Sequence, residues 1–374
     1  MHLIVLENEP SSLRGGQELS LLDVCHGLSK RGHTITLLYL KEGNLIEQYR
    51  EFSIDLVNIK SYILDRSTIN YFFDFFADIL KISANQNSFV YSNRYHDVFF
   101  GYVLSVFKKI PLVCHLRLPP PPGFGRPHTM GLKGTKQFIT ISQQTKLDWI
   151  NSGVSADKID VVYNAINTEL FKVSENFYNL RIKWNIAEDE KVISYVGRLD
   201  KEKGIETLLK AFSLLLKSGD KVRLLIAGKP LSTEQEYQNY LEELATNLGI
   251  KEHTSFLGHV NDTTSLYQVS DVTVLPSLWP EPFGRTIIES MACGTPVVAS
   301  RTGGIPEILT GEFERGLFET GNERDMVDKL LKIMHWRDSY PQLEQRCRTH
   351  VLCNFDRENM INSIEKVFMK VVKN

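Results

Sequence analysis

Residues 281–289 read EPFGRTIIE, and the chain continues as SMACGTPVVAS to residue 300. One carboxylate opens the stretch and another closes it eight positions later. Pro282 and Gly284 stand where a helix would begin, and Gly294 where it would stop. The apolar run from Pro296 to Ser300 then reads as a buried strand. Loop, helix and strand therefore follow one another, with unpaired N–H groups at the helix start. In an open parallel sheet that start lies at the carboxyl ends of the strands, where ligands bind.

Outward from this stretch the same alternation recurs. Short apolar runs at 3–8, 34–40, 89–93, 111–117, 137–142 and 159–165 read as strands, with helical patterns between most of them. In the first helical pattern Leu21, Val24, Cys25 and Leu28 share a face, and Gly32 is a stop signal. Strands restart at 191–197, 222–228, 254–258, 272–277 and 296–300. Strand–helix alternation with β-branched strands predicts an α/β chain of two Rossmann-like, doubly wound domains facing a central cleft. The polar stretch 168–190 is the expected linker, giving domains at 1–170 and 171–354. The terminal segment 355–374 presents Ile361, Ile364, Phe368 and Val371 on one helical face and is expected to pack back on the first domain.

At 374 residues the chain is too long for one ordinary core. Its 42% hydrophobic and 24% charged content is that of a soluble globular protein, and a net charge of −2 gives no bulk attraction to nucleic acid or anionic membrane. Five cysteines, an odd number without CxxC spacing, point to a reducing compartment and no zinc site. Met1 runs directly into a strand-like HLIVLEN, so no signal peptide is expected. The most apolar run, INYFFDFFADIL at 69–80, carries Asp74 and Asp78 and reads as a helix with one buried aromatic face, not a membrane span.

Four motifs carry the candidate chemistry. Gly15 and Gly16 in RGGQE (14–18) precede the first helix, as a tight turn or as a backbone approach to an anion. Arg198 and Lys203 stand five apart in GRLDKEKG (197–204), as a solvated loop or as two cations converging on a diphosphate. Glu281 and Glu289 bracket EPFGRTIIE, as a cap and an exposed helix residue or as two carboxylates for different ends of one long ligand. A carboxylate accepts two bonds side by side, which suits a vicinal diol. Ile287, Ile288, Met291 and Ala292 around Glu289 are a poor setting for a merely solvated charge. His115 in VCHLR ends a strand, as a structural histidine or one at the ligand edge. The following RLPPPPGFGRPH (117–128) is a stiff polyproline-type loop or the rim of an acceptor site.

Together GGQE, ITIS (139–142), YNAINTELF (163–171), GRLDKEKG, EPFGRTIIESMACGTPVVAS and GGIPEI (303–308) resemble the retaining GT-B glycosyltransferases of family 4, or glycosyltransferase group 1. The likeness spans nearly the whole chain. It implies Arg198 and Lys203 as the diphosphate pair, Glu281 on the transferred sugar and Glu289 on the nucleotide ribose. It implies the backbone of Phe283, Gly284 and Arg285 around phosphate and sugar, and Gly15 and Gly16 over the donor. It further implies His115 near the sugar and Val260, in FLGHV (256–260), near the base. Asn164 matches as a structural residue. The proline-rich segment 117–134 departs from the family pattern and puts the acceptor in question.

The expected activity is hexose transfer from a nucleotide sugar to a glycan or lipid-linked glycan in polysaccharide biosynthesis, with a UDP-hexose donor on family frequency. Glu281, His115, Arg198 and Lys203 are the expected catalytic residues. No DxD-like cluster lies near these loops, so neither metal nor other cofactor is expected and the cations and helix start stand in for one. The expected location is the cytoplasm, with the inner membrane surface as a peripheral contact and no nucleic-acid partner. A GT-B-like sugar-nucleotide epimerase, a sugar phosphorylase and a non-catalytic nucleotide-sugar binder are the alternatives.

Overall fold

The computed structural model describes residues 1–63, 69–230 and 236–373. The chain forms two compact units: Met1–Asn164 with Arg357–Asn374, and Ala165–Asp356.

The first unit is built on a seven-stranded sheet: β1 (His2–Leu6), β2 (Thr34–Tyr39), β3 (Asp55–Asn58), β4 (Ser88–Ser92), β5 (Leu112–Leu116), β6 (Gln137–Thr140) and β7 (Ile159–Val161). They run in the order β3-β2-β1-β4-β5-β6-β7. The strand pairings of this sheet are parallel, from Val5 beside Leu37 on one side to Val5 beside Tyr91 on the other. Residues of β1, β4 and β5 are buried throughout, as strands covered on both faces must be. The edge strand β3 is not among the expected strands. Its DLVN is half-exposed, too short and too polar to stand out as an apolar run.

Helix Ile69–Lys81 buries Phe75 and Ile79 against the core and exposes Phe73 and Leu80. Asp78, expected to mark a polar face, is 1% exposed and accepts the Lys60 N–H at 2.8 Å. Among the described residues no helix is long and apolar enough to cross a membrane. Helix Arg357–Lys373 lies in this unit, with Ile361, Ile364 and Phe368 fully buried. The Phe368 ring meets Phe89 at 4.6 Å and Tyr91 at 5.1 Å between centroids. Arg31 bonds Glu365 at 2.7 Å and fastens the same helix from outside.

The second unit has six strands: β8 (Lys191–Val196), β9 (Val222–Ala227), β10 (Thr254–Gly258), β11 (Val272–Leu275), β12 (Val297–Ser300) and β13 (Leu317–Phe318). Their order is β10-β9-β8-β11-β12-β13. The short β13 was not expected either; two residues carry no periodicity. EPFGRTIIE resolves as a loop followed by helix Arg285–Ala292, and Gly294 ends that helix with φ +85° before β12. The 168–190 stretch is not a linker but part of this unit, whose boundary falls at Asn164/Ala165. Helix Phe177–Lys183 within it sends Arg181 to 3.6 Å from the buried Asp271. A polar-looking sequence is thus folded by charges that find buried partners.

Candidate functional site

In the second unit the strand order reverses between β8 and β11: β9 lies on one side of β8 and β11 on the other. Doubly wound sheets bind ligands at such a reversal. The loop after β8 carries Arg198 and Lys203, and the loop after β11 carries Glu281. Gly204 ends the turn Lys201–Lys203 at φ +68°, and a Cβ there would run into the Pro276 carbonyl. Glycine alone lets the two loops lie this close. Leu278 N–H donates to the Glu202 carbonyl at 2.8 Å and locks the approach.

The result joins two of the expected residues directly. Lys203 Nζ stands 2.5 Å from Glu281 Oε1, and Ser277 Oγ donates to the same oxygen at 2.6 Å. From below, Gly303 at φ +56° sits against the Glu281 backbone where any side chain would collide, and Gly304 N–H donates to the Glu281 carbonyl at 2.7 Å. The side chains of Lys203 and Glu281 are 17% and 11% exposed. A charge-assisted bond in this partly dry setting is strong, and it leaves the pair neutral overall. The motif reading gave Lys203 and Glu281 to different parts of a ligand; the structure pairs them with each other.

Arg198 points outward, its side chain 43% exposed and its Nε 3.4 Å from Asp200 Oδ2. Its carbonyl accepts the Tyr195 hydroxyl at 2.6 Å, which fixes the backbone and leaves the guanidinium to solvent.

Glu289 is 9% exposed on helix Arg285–Ala292. Arg285 Nε donates to Oε1 at 2.8 Å and the Tyr267 hydroxyl to Oε2 at 3.0 Å. Burial, and then the Glu289 charge, hold the Tyr267 phenol well above its ordinary pKa, so it remains a donor. Phe283 is buried edge-on against Phe355, centroids 5.7 Å apart, and Gly284 begins the helix without a side-chain cap. Val260, after β10, packs beside the cluster of Val192, Leu225 and Leu266.

Gly15, Gly16 and His115 belong to the first unit. Gly15 precedes helix Gly16–Lys30, again with no side-chain cap. His115 is 1% exposed on β5, its Nδ1 2.6 Å from the Tyr91 hydroxyl and its Nε2 enclosed without a partner. Burial, then the nearby Arg117, push its pKa well below the ordinary value, so it is neutral. Such an enclosure fits the structural alternative for this residue better than a histidine open to ligand. Asn164 accepts from Arg117 Nη1 at 3.0 Å and from Ser20 Oγ at 3.2 Å, as a structural residue should. The proline-rich segment is held by Trp149, whose Nε1 donates to the Leu118 carbonyl at 2.9 Å and whose ring stacks on Phe124 at 5.7 Å.

Motif reading did not find Ser277 or Tyr267. Ser277 stands four residues before Glu281 at a strand end, a signal that was present. Tyr267 is 22 residues from Glu289, and nothing local marks it.

Two family models cover most of the chain: glycosyltransferase family 4 matches residues 14–170 and glycosyl transferases group 1 matches residues 176–350. An uncharacterised glycosyltransferase of Methanocaldococcus jannaschii is 40% identical over 182 residues, 47% of this chain and 45% of that one. N-acetyl-alpha-D-glucosaminyl L-malate synthase of Bacillus anthracis is 27% identical over 215 residues, 58% of this chain and 54% of that one. The chain thus spans about half the length of the curated relatives it matches. The crystal structure of Anabaena HepE in complex with UDP and glucose is similar at a TM-score of 0.84 and 23% identity, covering 98% of this chain and 99% of that one. Two parallel-sheet Rossmann-like units and this likeness define the GT-B fold. The chain belongs to the group 1 glycosyltransferases.

Proposed function

We propose that the chain is a retaining glycosyltransferase that moves a hexose from a nucleoside-diphosphate sugar, a UDP-hexose, to a glycan or lipid-linked glycan acceptor in polysaccharide biosynthesis. The observation that carries the reading is the Lys203–Glu281 pair at the carboxyl ends of β8 and β11, with the exposed Arg198 in the same loop as Lys203. A diphosphate gains charge as its bond to the sugar C1 breaks. Two cations and the start of helix Arg285–Ala292, reached through the backbone of Phe283 and Gly284, are the groups that can stabilise that charge. On binding, Lys203 shifts from Glu281 toward the diphosphate, and the freed Glu281 oxygen accepts from a sugar hydroxyl. Glu289 accepts from the ribose diol, and the backbone near Val260 borders the base. Gly15 and Gly16 leave the backbone at the start of helix Gly16–Lys30 without side chains, open to an anion.

In the retaining step the C1–oxygen electron pair goes to the departing phosphate. The acceptor hydroxyl oxygen bonds C1 on the same face, and its proton passes to a phosphate oxygen. The UDP preference is supported by the UDP-bound HepE neighbour. Cytoplasmic placement with a peripheral contact at the inner membrane is supported by residues 118–136. They carry Arg126, His128, Lys133 and Lys136, no acidic residue, and the exposed Leu118 and Met130.

A thermal-shift screen of UDP-, GDP- and ADP-hexoses tests the donor, followed by product analysis of the anomer formed. A selective shift with a UDP-hexose and an α-linked product from an α-linked donor are expected. No shift with any nucleotide sugar overturns the reading.

A further inference from the structure

We propose that Tyr267 is a positioning residue that sets the Glu289 carboxylate to read both hydroxyls of a ribose, and so makes the donor site select ribonucleotides over 2′-deoxyribonucleotides. The inference rests on the proposed nucleotide-sugar reading and adds a specificity determinant to it. Tyr267 lies on helix Thr263–Val269 and is fully buried. Its backbone is pinned: its carbonyl accepts from Thr295 Oγ1 at 2.7 Å and from Ser270 N–H at 3.1 Å. Its ring lies beside Phe171, centroids 6.3 Å apart. The hydroxyl therefore has one place to point, and there it meets Glu289 Oε2 at 3.0 Å.

Arg285 Nε holds the other oxygen, Oε1, at 2.8 Å from one helical turn before. The two donors reach the carboxylate from two different helices, Thr263–Val269 and Arg285–Ala292, one to each oxygen. Each oxygen takes one of these side-chain donors and keeps a lone pair for a ligand. Two adjacent acceptors, fixed in rotation, match the two adjacent donors of a ribose 2′,3′-diol. A carboxylate held at one oxygen only could rotate to suit a single hydroxyl, and the discrimination would fall. A site whose buried polar group is left unpaired rejects the ligand that lacks the hydroxyl. Because the phenol is kept protonated, it donates throughout the working pH range.

The test is Tyr267→Phe, which removes one oxygen atom and keeps the buried ring. Binding of UDP, GDP, ADP and CDP and of their 2′-deoxy forms is measured by calorimetry in wild type, Y267F, E289Q and the double variant. The best-binding diphosphate is expected to bind about three- to tenfold more weakly to Y267F, the scale of one hydrogen bond. Its preference over the 2′-deoxy form should fall at least threefold. A purely structural role would weaken both forms alike and leave that ratio unchanged, which would overturn the proposal. In the E289Q background, adding Y267F should not change the ratio further. Should Y267F fail to give a native circular dichroism spectrum, the ratio in E289Q alone decides: an undiminished preference for the ribonucleotide removes Glu289 from ribose recognition, and Tyr267 with it. A loss in E289Q with none in a folded Y267F defeats this inference and spares the nucleotide reading. Binding of no diphosphate by wild type defeats both.

Discussion

The two units share a sheet plan and handle charge at its reversal point in opposite ways. In the second, Lys203 and Glu281 touch at 2.5 Å, with partial exposure. In the first, the reversal lies between β1 and β4, and the residues just beyond the strand ends are Glu7 and Asn93, both at 0% exposure, with Arg117 at 3%. Here Glu7 and Arg117 do not touch each other. Arg117 Nε donates to Asn93 Oδ1 at 2.6 Å, and Asn93 Nδ2 donates to Glu7 Oε2 at 3.0 Å. An amide separates the charges, and Arg117 Nη2 is enclosed without a partner. Paired, partly exposed charges can exchange partners with an arriving charge. Buried charges held apart shift their protonation and fasten loops together.

The comparison breaks most visibly at Lys203. Lys203→Ala should lower turnover about a hundredfold, on the order of 3 kcal/mol of transition-state stabilisation, while circular dichroism stays native. Near-wild-type kcat would mean that the second unit's pair is structural after all, and that the contrast between the units is one of exposure only.

The first unit is probed through Glu7. Burial, and then the Glu18 charge, raise its pKa to about 7 from an ordinary value of 4.5. The folded chain keeps this proton to higher pH than the unfolded chain does. Its contribution to stability therefore falls as pH rises from about 4.5 to about 7, by up to about 3 kcal/mol, and the penalty is complete above that. Glu7→Gln removes the titration. Its melting temperature relative to wild type should climb between pH 5 and pH 8. Parallel melting curves across that window would show that Glu7 is ionised in the fold throughout.

Within the second unit the two glutamates should separate. Glu289→Gln should weaken binding of free nucleoside diphosphate by roughly 1–3 kcal/mol, the range for a charged hydrogen-bond partner. Glu281→Gln should leave that affinity nearly unchanged and lower turnover of the nucleotide sugar. The structure sharpens the expectation, because Glu281 is shared with Lys203 and Glu289 is not. If calorimetry finds equal losses, or a larger one for Glu281→Gln, the two-ended reading fails.

What could be read from sequence follows the same division. The helix and strand after Glu281 are legible because Pro282, Gly284, Gly294 and Pro296 punctuate them, and local signals suffice. The strands β3 and β13 are not, because four half-exposed residues and two buried ones carry too little pattern. Lys203 and Glu281 are recognisable singly, but their contact spans 78 residues and depends on Gly204 meeting Pro276. The hydroxyl of Tyr267 and the Glu7–Asn93–Arg117 relay arise only when separate strands and helices come together. Helix Phe177–Lys183 is hidden in a polar stretch whose Arg181 lies 3.6 Å from a distant buried carboxylate and donates to the Ala187 carbonyl. Long-range polar contacts leave no period in a sequence.

The smallest expected effect concerns metal. In the second unit Lys203, paired with Glu281, and Arg198, its side chain exposed beside Asp200, bring positive charge to the strand ends. On the proposed reading these two cations meet the charge that develops on a leaving diphosphate, so a divalent ion is expected to add little there. Turnover of the preferred nucleotide sugar, measured with and without excess EDTA and then with Mg²⁺ or Mn²⁺ restored, should stay within about twofold across all conditions, well below the tenfold that 1.4 kcal/mol represents. Complete loss on chelation with recovery on metal would place a cation where Lys203 is proposed to act. In that case Lys203→Ala should cost far less than a hundredfold in the metal-loaded enzyme, and the two experiments would fail together.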